Sequence, residues 1–371
     1  MTPVELSRTV LRAVRRAVDG GELGVSVPVS AAVTPPGPGG CGDFATNIAL
    51  RLAGPAGRPA SEVAAILRPY IERDPGVADV TVTGPGFLNI TLARGAHAGL
   101  VETVLEQGPR YGYGDALAGQ VVELRVPHDT RAETVADALV RIVATQGGHA
   151  EVRHAEPVNL RPVPAPEDPA PLGHDAARWA LLHPAPHDRP RIGADHLLQR
   201  ESNPLFRVRY AHARTRALSR NAAALGYGGD PRAVRSPDVR QPDHDRSGVP
   251  AGAGAPVGTG ARPRRDEGPL RTSVPVLADP TPAPGEADLL AALAEYPHAL
   301  RQSARHRAPD RLARHLVVTA DAVLGFQYVV LPLGDEKPSA AHRARLALAE
   351  AAGAVLAGGL SLLGISAPQY L

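Results

Sequence analysis

From Tyr227 to Glu286 the chain is rich in Pro, Gly, Asp and Arg, with almost no aromatic and few large apolar residues. Such a tract cannot bury enough surface to offset the entropy of ordering it, which predicts a disordered insert at about 228–285. The consequence is architectural. Any core in the second half must be closed by the helical pattern before the tract, Asn203 to about Leu225, and by three after it. Those three run from Ala287 to Glu295, from Asp310 to Val330 with a bend at Gly325, and from Ala340 to Gly358. The first helix opens with Pro204 in its first turn, where a missing N–H is harmless. The spacing predicts an all-α C-terminal bundle.

Upstream the periodicity is mixed. Leu6, Val10, Leu11, Val14 and Val18 recur at helical spacing, with Arg8, Arg12, Arg15 and Arg16 on other faces. An extended segment from Val25 to Val33 leads to a Pro/Gly run, after which Asp43 is expected to cap a helix through Leu52. A third helix is expected from Ser61, as its N-cap, to Tyr70. Val77 to Val82 and Phe87 to Leu92 alternate around Gly84-Pro85-Gly86 and read as a hairpin. Gln120 to Val126 reads as a strand, Arg131 to Gln146 as a helix ended by Gly147-Gly148, and His149 to Leu160 as a further strand. Residues 161–191 read as a linker with one helical turn at Ala176 to Leu182. The expected class is α+β, with a small α+β domain over 1–95, a short α/β segment and linker over 96–190, and a helical domain over 191–371.

Composition excludes several classes. With 371 residues and 43% apolar content the chain can build two or three ordinary cores. No window approaches ~18 consecutive apolar residues, so no membrane association is expected. The N-terminus, with Arg15, Arg16 and Asp19 among its apolar positions, is unlike a signal peptide, and a cytoplasmic location is the expectation. One cysteine, Cys41 between Gly40 and Gly42, excludes an internal disulfide and a cysteine-rich zinc site. The histidines show no ligand spacing, so neither a metal nor a cofactor is expected. Gly37-x-Gly39-x-x-Gly42 matches a dinucleotide fingerprint in letter only, because Pro38 stiffens the loop and Asp43 puts a carboxylate where a pyrophosphate should sit. A net charge of only +2 means that RNA affinity has to come from arginines clustered on one face. Arg301, Arg305, Arg307, Arg311 and Arg314, interleaved with His298, His306 and His315, are one such run; a solvated bundle face explains it equally well.

Several ordered motifs together resemble arginyl-tRNA synthetase: Gly42-Asp43-Phe44-Ala45-Thr46-Asn47-Ile48-Ala49-Leu50, Gly84 to Ile90, Asn203 to Arg214, and the ending Ala367-Pro368-Gln369-Tyr370-Leu371. The resemblance covers about 1–95 and 195–371 less the insert. It implies an N-terminal tRNA-binding domain and a C-terminal anticodon-binding domain, often called the DALR domain. It implies that Phe87 and Asn89 contact a D-loop base, and that Tyr328 and Leu371 line an anticodon-base pocket, Leu371 standing where the family has Met. Arg207, Tyr210 and Arg214 would add charge and an aromatic face; Arg209 replaces the family's usual Gln. The structural alternatives are a core Phe87, a turn-bracing Asn89 and a solvated helix face with Tyr210 packed.

The middle of the chain departs from the family. Val122-Glu123-Leu124, Arg131 and Asp137-Ala138-Leu139 are similar to the flanks of the class I ATP motif, yet the motif itself has contracted to Arg125 through Thr130, leaving His128 as the remnant of one histidine. Those imidazoles stabilise charge on the transferring phosphate. The chain's single lysine, Lys337, lies far along the C-terminal region and cannot serve the family's mobile loop. His149 to Arg191 is too short for the βα units of a nucleotide-binding domain. Region 96–190 is therefore expected to be a degenerate catalytic remnant. The function expected from the resemblance is a non-catalytic tRNA-binding paralogue, with arginine tRNA as the first candidate and the authentic arginyl-tRNA synthetase as a second partner. The alternatives are ligase activity only with a separate catalytic subunit, and a protein-interaction module without RNA affinity.

Overall fold

Helix α1 (Pro3–Asp19) turns Leu6, Val10, Val14 and Ala17 into a core at 0% exposure, and its arginines outward. The computed structural model describes residues 1, 3–34, 36–37, 40–233 and 285–371, so most of the expected disordered insert, 234–284, lies outside the described residues. Beyond α1 come β1 (Phe44–Thr46), α2 (Ile48–Ala56), α3 (Ala60–Glu72), β2 (Val77–Thr83) and β3 (Phe87–Leu92). The three strands form an antiparallel sheet in the order β1-β3-β2, and Leu88, Ile90 and Leu92 alternate into the core between them.

Two expected helix caps are corrected. Asp43 caps no helix: its N–H donates to Ile90 O at 2.9 Å and its Oδ2 accepts the Leu92 N–H at 2.7 Å, so Phe44-Ala45-Thr46 is drawn into the sheet and α2 begins only at Ile48. Burial decides this, since all three residues of β1 are inside. The third helix starts at Ala60, one residue before Ser61, with Pro59 in the cap position and no side chain serving it. The segment 25–33 stays irregular and meets the sheet through the bridge of Thr34 to Ala45 and the Thr46 hydroxyl, which donates to Ala32 O at 2.7 Å.

Helix α4 (Arg94–Gln107) was not legible from periodicity. It leads into a parallel unit, β4 (Val121–Arg125), α5 (Thr130–Ala144) and β5 (His149–Arg153), paired from Val121↔His149 to Arg125↔Arg153. Asp129 caps α5 by accepting the Ala132 N–H at 2.9 Å.

The stretch read as a linker is held by one buried charge. Arg131, 1% exposed, uses all five of its N–H donors on backbone carbonyls: Leu181 from Nε, Val163 and Asp188 from Nη1, and Pro184 and Ala185 from Nη2, at 2.7–3.0 Å. Helix α6 (His174–Leu182) is part of this wrap, with Trp179 fully buried. The segment is an ordered shell around a guanidinium, which corrects the linker reading. Burial lowers the Arg131 pKa, partly opposed by Asp129 and Asp188.

The C-terminal bundle comprises α7 (Pro204–Ala224), α8 (Glu286–Arg305), α9 (Pro309–Phe326) and α10 (Ala340–Leu362). Asn203 caps α7 by accepting the Leu205 and Phe206 N–H groups, and α9 runs through Gly325, where a bend was expected, into a 3-10 turn at Gln327–Val329. Helix α8 is longer than its pattern because it continues through Pro297. Helix α10 is long and apolar enough to cross a membrane, yet 72% of its apolar window is buried against the rest of the protein. Tyr111 ties the N-terminal half to the bundle: its hydroxyl donates to Leu293 O at 2.9 Å and its ring stacks on Tyr296. The start of the expected insert is also docked. Tyr227 is buried, the Asp230 N–H donates to Arg343 O, and Arg232 pairs with Glu102.

Candidate nucleic-acid interface

Helix α7 is the spine of the candidate site, because its two flanks grip two other elements. On one flank, Arg207 and Arg214 stand seven residues apart and so share a face. Arg207 Nη1 donates to Asp321 Oδ1 at 2.8 Å, and Arg214 Nε donates to Gln327 Oε1 at 2.7 Å. Gln327 starts the 3-10 turn that carries Tyr328, whose ring is 70% exposed. On the other flank the chain terminus is held. The His212 imidazole Nδ1 donates to Pro368 O at 2.8 Å, and the Arg220 guanidinium lies 4.3 Å above the centre of the Tyr370 ring. Tyr210, 39% exposed, stacks on Phe206 with ring centres 5.5 Å apart.

Leu371 is half exposed and lines a cavity of about 360 Å³ together with Phe206, Arg209, Asp175 and His196. Arg209 Nη2 reaches Asp175 Oδ2 at 3.8 Å, and the Ser366 hydroxyl donates to the same carboxylate. Burial alone would raise the Asp175 pKa, but hydrogen bonds from Ser366 and His174 and the charge of Arg209 bring it below the usual carboxylate range. The cavity thus offers an apolar wall and a fixed charge pair. Asp175, Ser366, Gln327 and Tyr370 are residues that sequence reasoning did not single out. Tyr370 and Ser366 carried a signal in their place in the family-like C-terminal run, and Gln327 in the Phe326-Gln327-Tyr328 run that resembles the family's aromatic-rich turn; Asp175 carried none.

At the N-terminal hairpin the structure separates the expected pair. Phe87 is 41% exposed, whereas Asn89 is 2% exposed and donates from Nδ2 to Thr83 Oγ1 at 2.6 Å. Gly86 sits at φ 135°, and a Cβ there would lie 2.8 Å from the Ala60 backbone, so the tip is pressed against the start of α3. Gly86 is thereby a packing requirement at the turn that precedes the exposed Phe87.

Residues 96–190 hold a two-stranded sheet, and no further strand joins β4 and β5 among the described residues. His128 is exposed in the loop after β4, and Lys337 is exposed in the loop before α10. In the basic run, Arg305, Arg311 and Arg314 are exposed, and Arg314 pairs with Asp310 at 3.4 Å.

Comparison with known proteins accords with this arrangement. The family model described as the arginyl tRNA synthetase N terminal domain matches residues 5–92, and that of the DALR anticodon binding domain matches residues 271–371. The arginine–tRNA ligase of Renibacterium salmoninarum is 40% identical over 161 residues, covering 40% of this chain and 29% of that protein. That of Frankia alni is 37% identical over 157 residues, covering 40% of this chain and 28% of that protein. The match spans less than a third of the length of these relatives. A solved arginyl-tRNA synthetase from Thermus thermophilus shares the fold, with a TM-score of 0.61 over 100% of both chains at 13% identity. The chain is an arginyl-tRNA-synthetase-related protein that carries the N-terminal domain of that family and a DALR anticodon-binding domain.

Proposed function

We propose that the protein is a non-catalytic tRNA-binding relative of arginyl-tRNA synthetase, with arginine tRNA as its first candidate ligand. One observation carries the reading. Helix α7 gathers Tyr328 on one flank and Tyr370 and Leu371 on the other, beside Arg207, Arg209, Arg214 and Arg220. Exposed aromatic faces can stack on unpaired bases while guanidinium groups meet phosphates, which is how single-stranded loops of RNA are held. Phe87 supplies a second, separate stacking face at the hairpin, and Asn89 keeps that hairpin in shape.

Loss of catalysis is supported by the middle of the chain. Beyond β5 the backbone wraps around Arg131, and the described residues hold no further strand for a nucleotide-binding sheet. The residues that would help transfer a phosphate are reduced to an exposed His128. The authentic synthetase is the protein partner that this reading favours, and a cytoplasmic location goes with it.

Two assays test the proposal. Phe87→Ala and Tyr328→Ala should each weaken tRNA binding, and unchanged affinity in both would refute the site. Arginine-dependent pyrophosphate exchange should be absent from the protein alone; exchange by the protein alone would refute loss of catalysis.

A further inference from the structure

We infer that His128, Glu133 and His154 form a binding site for a divalent transition-metal ion of the zinc or nickel kind. Their candidate ligand atoms all lie within 4.8 Å of one another. The imidazoles stack with ring centres 3.9 Å apart, and Glu133 Oε1 stands 4.0 Å from His128 Nδ1 and 3.6 Å from His154 Nε2. Two imidazoles and one carboxylate are the donor set that suits zinc, nickel or copper, and three protein ligands leave a fourth position open. Metal–nitrogen bonds of about 2 Å require the three atoms to close by roughly 1 Å. Rotation of exposed side chains supplies this, and all three are exposed.

The backbone beneath the cluster is fixed, so the meeting of these residues is built into the fold. Strands β4 and β5 pair through Arg125↔Arg153, and the Val126 N–H donates to Arg153 O at 2.9 Å. His128 and His154 therefore leave the same end of adjacent parallel strands, the carboxyl end where open α/β sheets place their ligands. Asp129 caps α5 and sets Glu133 in its first turn, facing both rings. A helix N-terminus repels cations, but Asp129 and Glu133 put two carboxylates there. Sequence spacing hid the cluster, because His154 is brought to His128 only by strand pairing.

The test uses untagged full-length protein stripped with chelator, dialysed against zinc(II) or nickel(II) and measured for bound metal. Cobalt(II) serves as a spectroscopic probe of the coordinated imidazoles. About one ion per chain is expected for a single three-ligand site, and His128→Ala, Glu133→Gln or His154→Ala should each weaken binding roughly tenfold or more. His187→Ala, remote in sequence and exposed, should bind as the unaltered protein does. The inference is overturned if the unaltered protein retains no ion, if the three variants retain it equally, or if retention is lost in Cys41→Ser instead.

Discussion

Arg214 donates from Nε to the Oε1 of Gln327 at 2.7 Å, and the Gln327 amide donates in turn to Leu324 O at 3.0 Å, so α7 fixes the turn that presents Tyr328. Removing the Arg214 bond should loosen that turn without unfolding the bundle. Arg214→Met is expected to cost about 1 kcal/mol of stability, the usual net worth of one such bond. Tyr328→Ala should leave stability unchanged, since the ring is 70% exposed, yet weaken tRNA binding by roughly 1–3 kcal/mol if a base stacks there. Thermal melts and fluorescence anisotropy on the two variants separate these effects; a destabilised Tyr328→Ala would contradict them.

The hairpin offers a second test. A Cβ at Gly86 would meet the Ala60 backbone at 2.8 Å, and the residue sits at φ 135°, so Gly86→Ala cannot be absorbed by a side-chain rotation. It should destabilise the protein by roughly 1–3 kcal/mol and displace Phe87. Phe87→Ala should leave the melting temperature near that of the unaltered protein. A melt that shifts equally in both variants would show Phe87 to be a core residue.

Arg131→Met removes five donors at once and leaves the carbonyls of Val163, Leu181, Pro184, Ala185 and Asp188 without them. Each buried acceptor left unpaired costs about 1–3 kcal/mol where water cannot replace the donor. A loss of at least about 3 kcal/mol is therefore expected in urea unfolding, together with a change in the fluorescence of the single tryptophan, Trp179, on the adjacent α6. A loss below about 1 kcal/mol would mean that the shell stands without its centre.

Acid should weaken the fold through two histidines. Burial, aided by Arg314, lowers His183 to about 4, and burial likewise lowers His315 to about 4 although its Nε2–H donates to Ala292 O. Both are held neutral in the folded state, whereas the unfolded chain takes up protons near 6.5. The unfolded state thus binds more protons between these values, so stability is full above about 6.5 and falls as pH drops toward about 4. The limit is roughly 3 kcal/mol for His315 and less for the more exposed His183. Urea midpoints at pH 7 and pH 5 should show the fall, and His315→Gln should flatten it; an equal slope in that variant would assign the effect elsewhere.

The long periodic helices α1, α5, α7, α9 and α10 were legible because their apolar stripes face a core. What escaped was governed by long-range partners. Asp43 reads as a cap from its neighbours, but Leu92 and Ile90, far along the chain, make it a sheet residue. Residues 161–191 look like a linker because the guanidinium that orders them belongs to α5. Helix α8 reads as ending at Glu295 because Pro297 follows, although the helix runs on to Arg305. Of the candidate site, the family resemblance pointed to Tyr328 and Leu371; the support from Gln327, Asp175 and Ser366 was not legible, since it exists only once α7 lies between them.

The measurement that bears most directly on the proposed function is retention of total tRNA by the purified protein across a salt series, with sequencing of what is retained. A phosphate-gripping arginine face predicts enrichment of arginine tRNAs and affinity that falls steeply with salt, by about 0.7–0.9 log units per log unit of salt for each phosphate contacted. No retention even at low salt would contradict tRNA binding and leave the aromatic and arginine face of α7 without the ligand assigned to it.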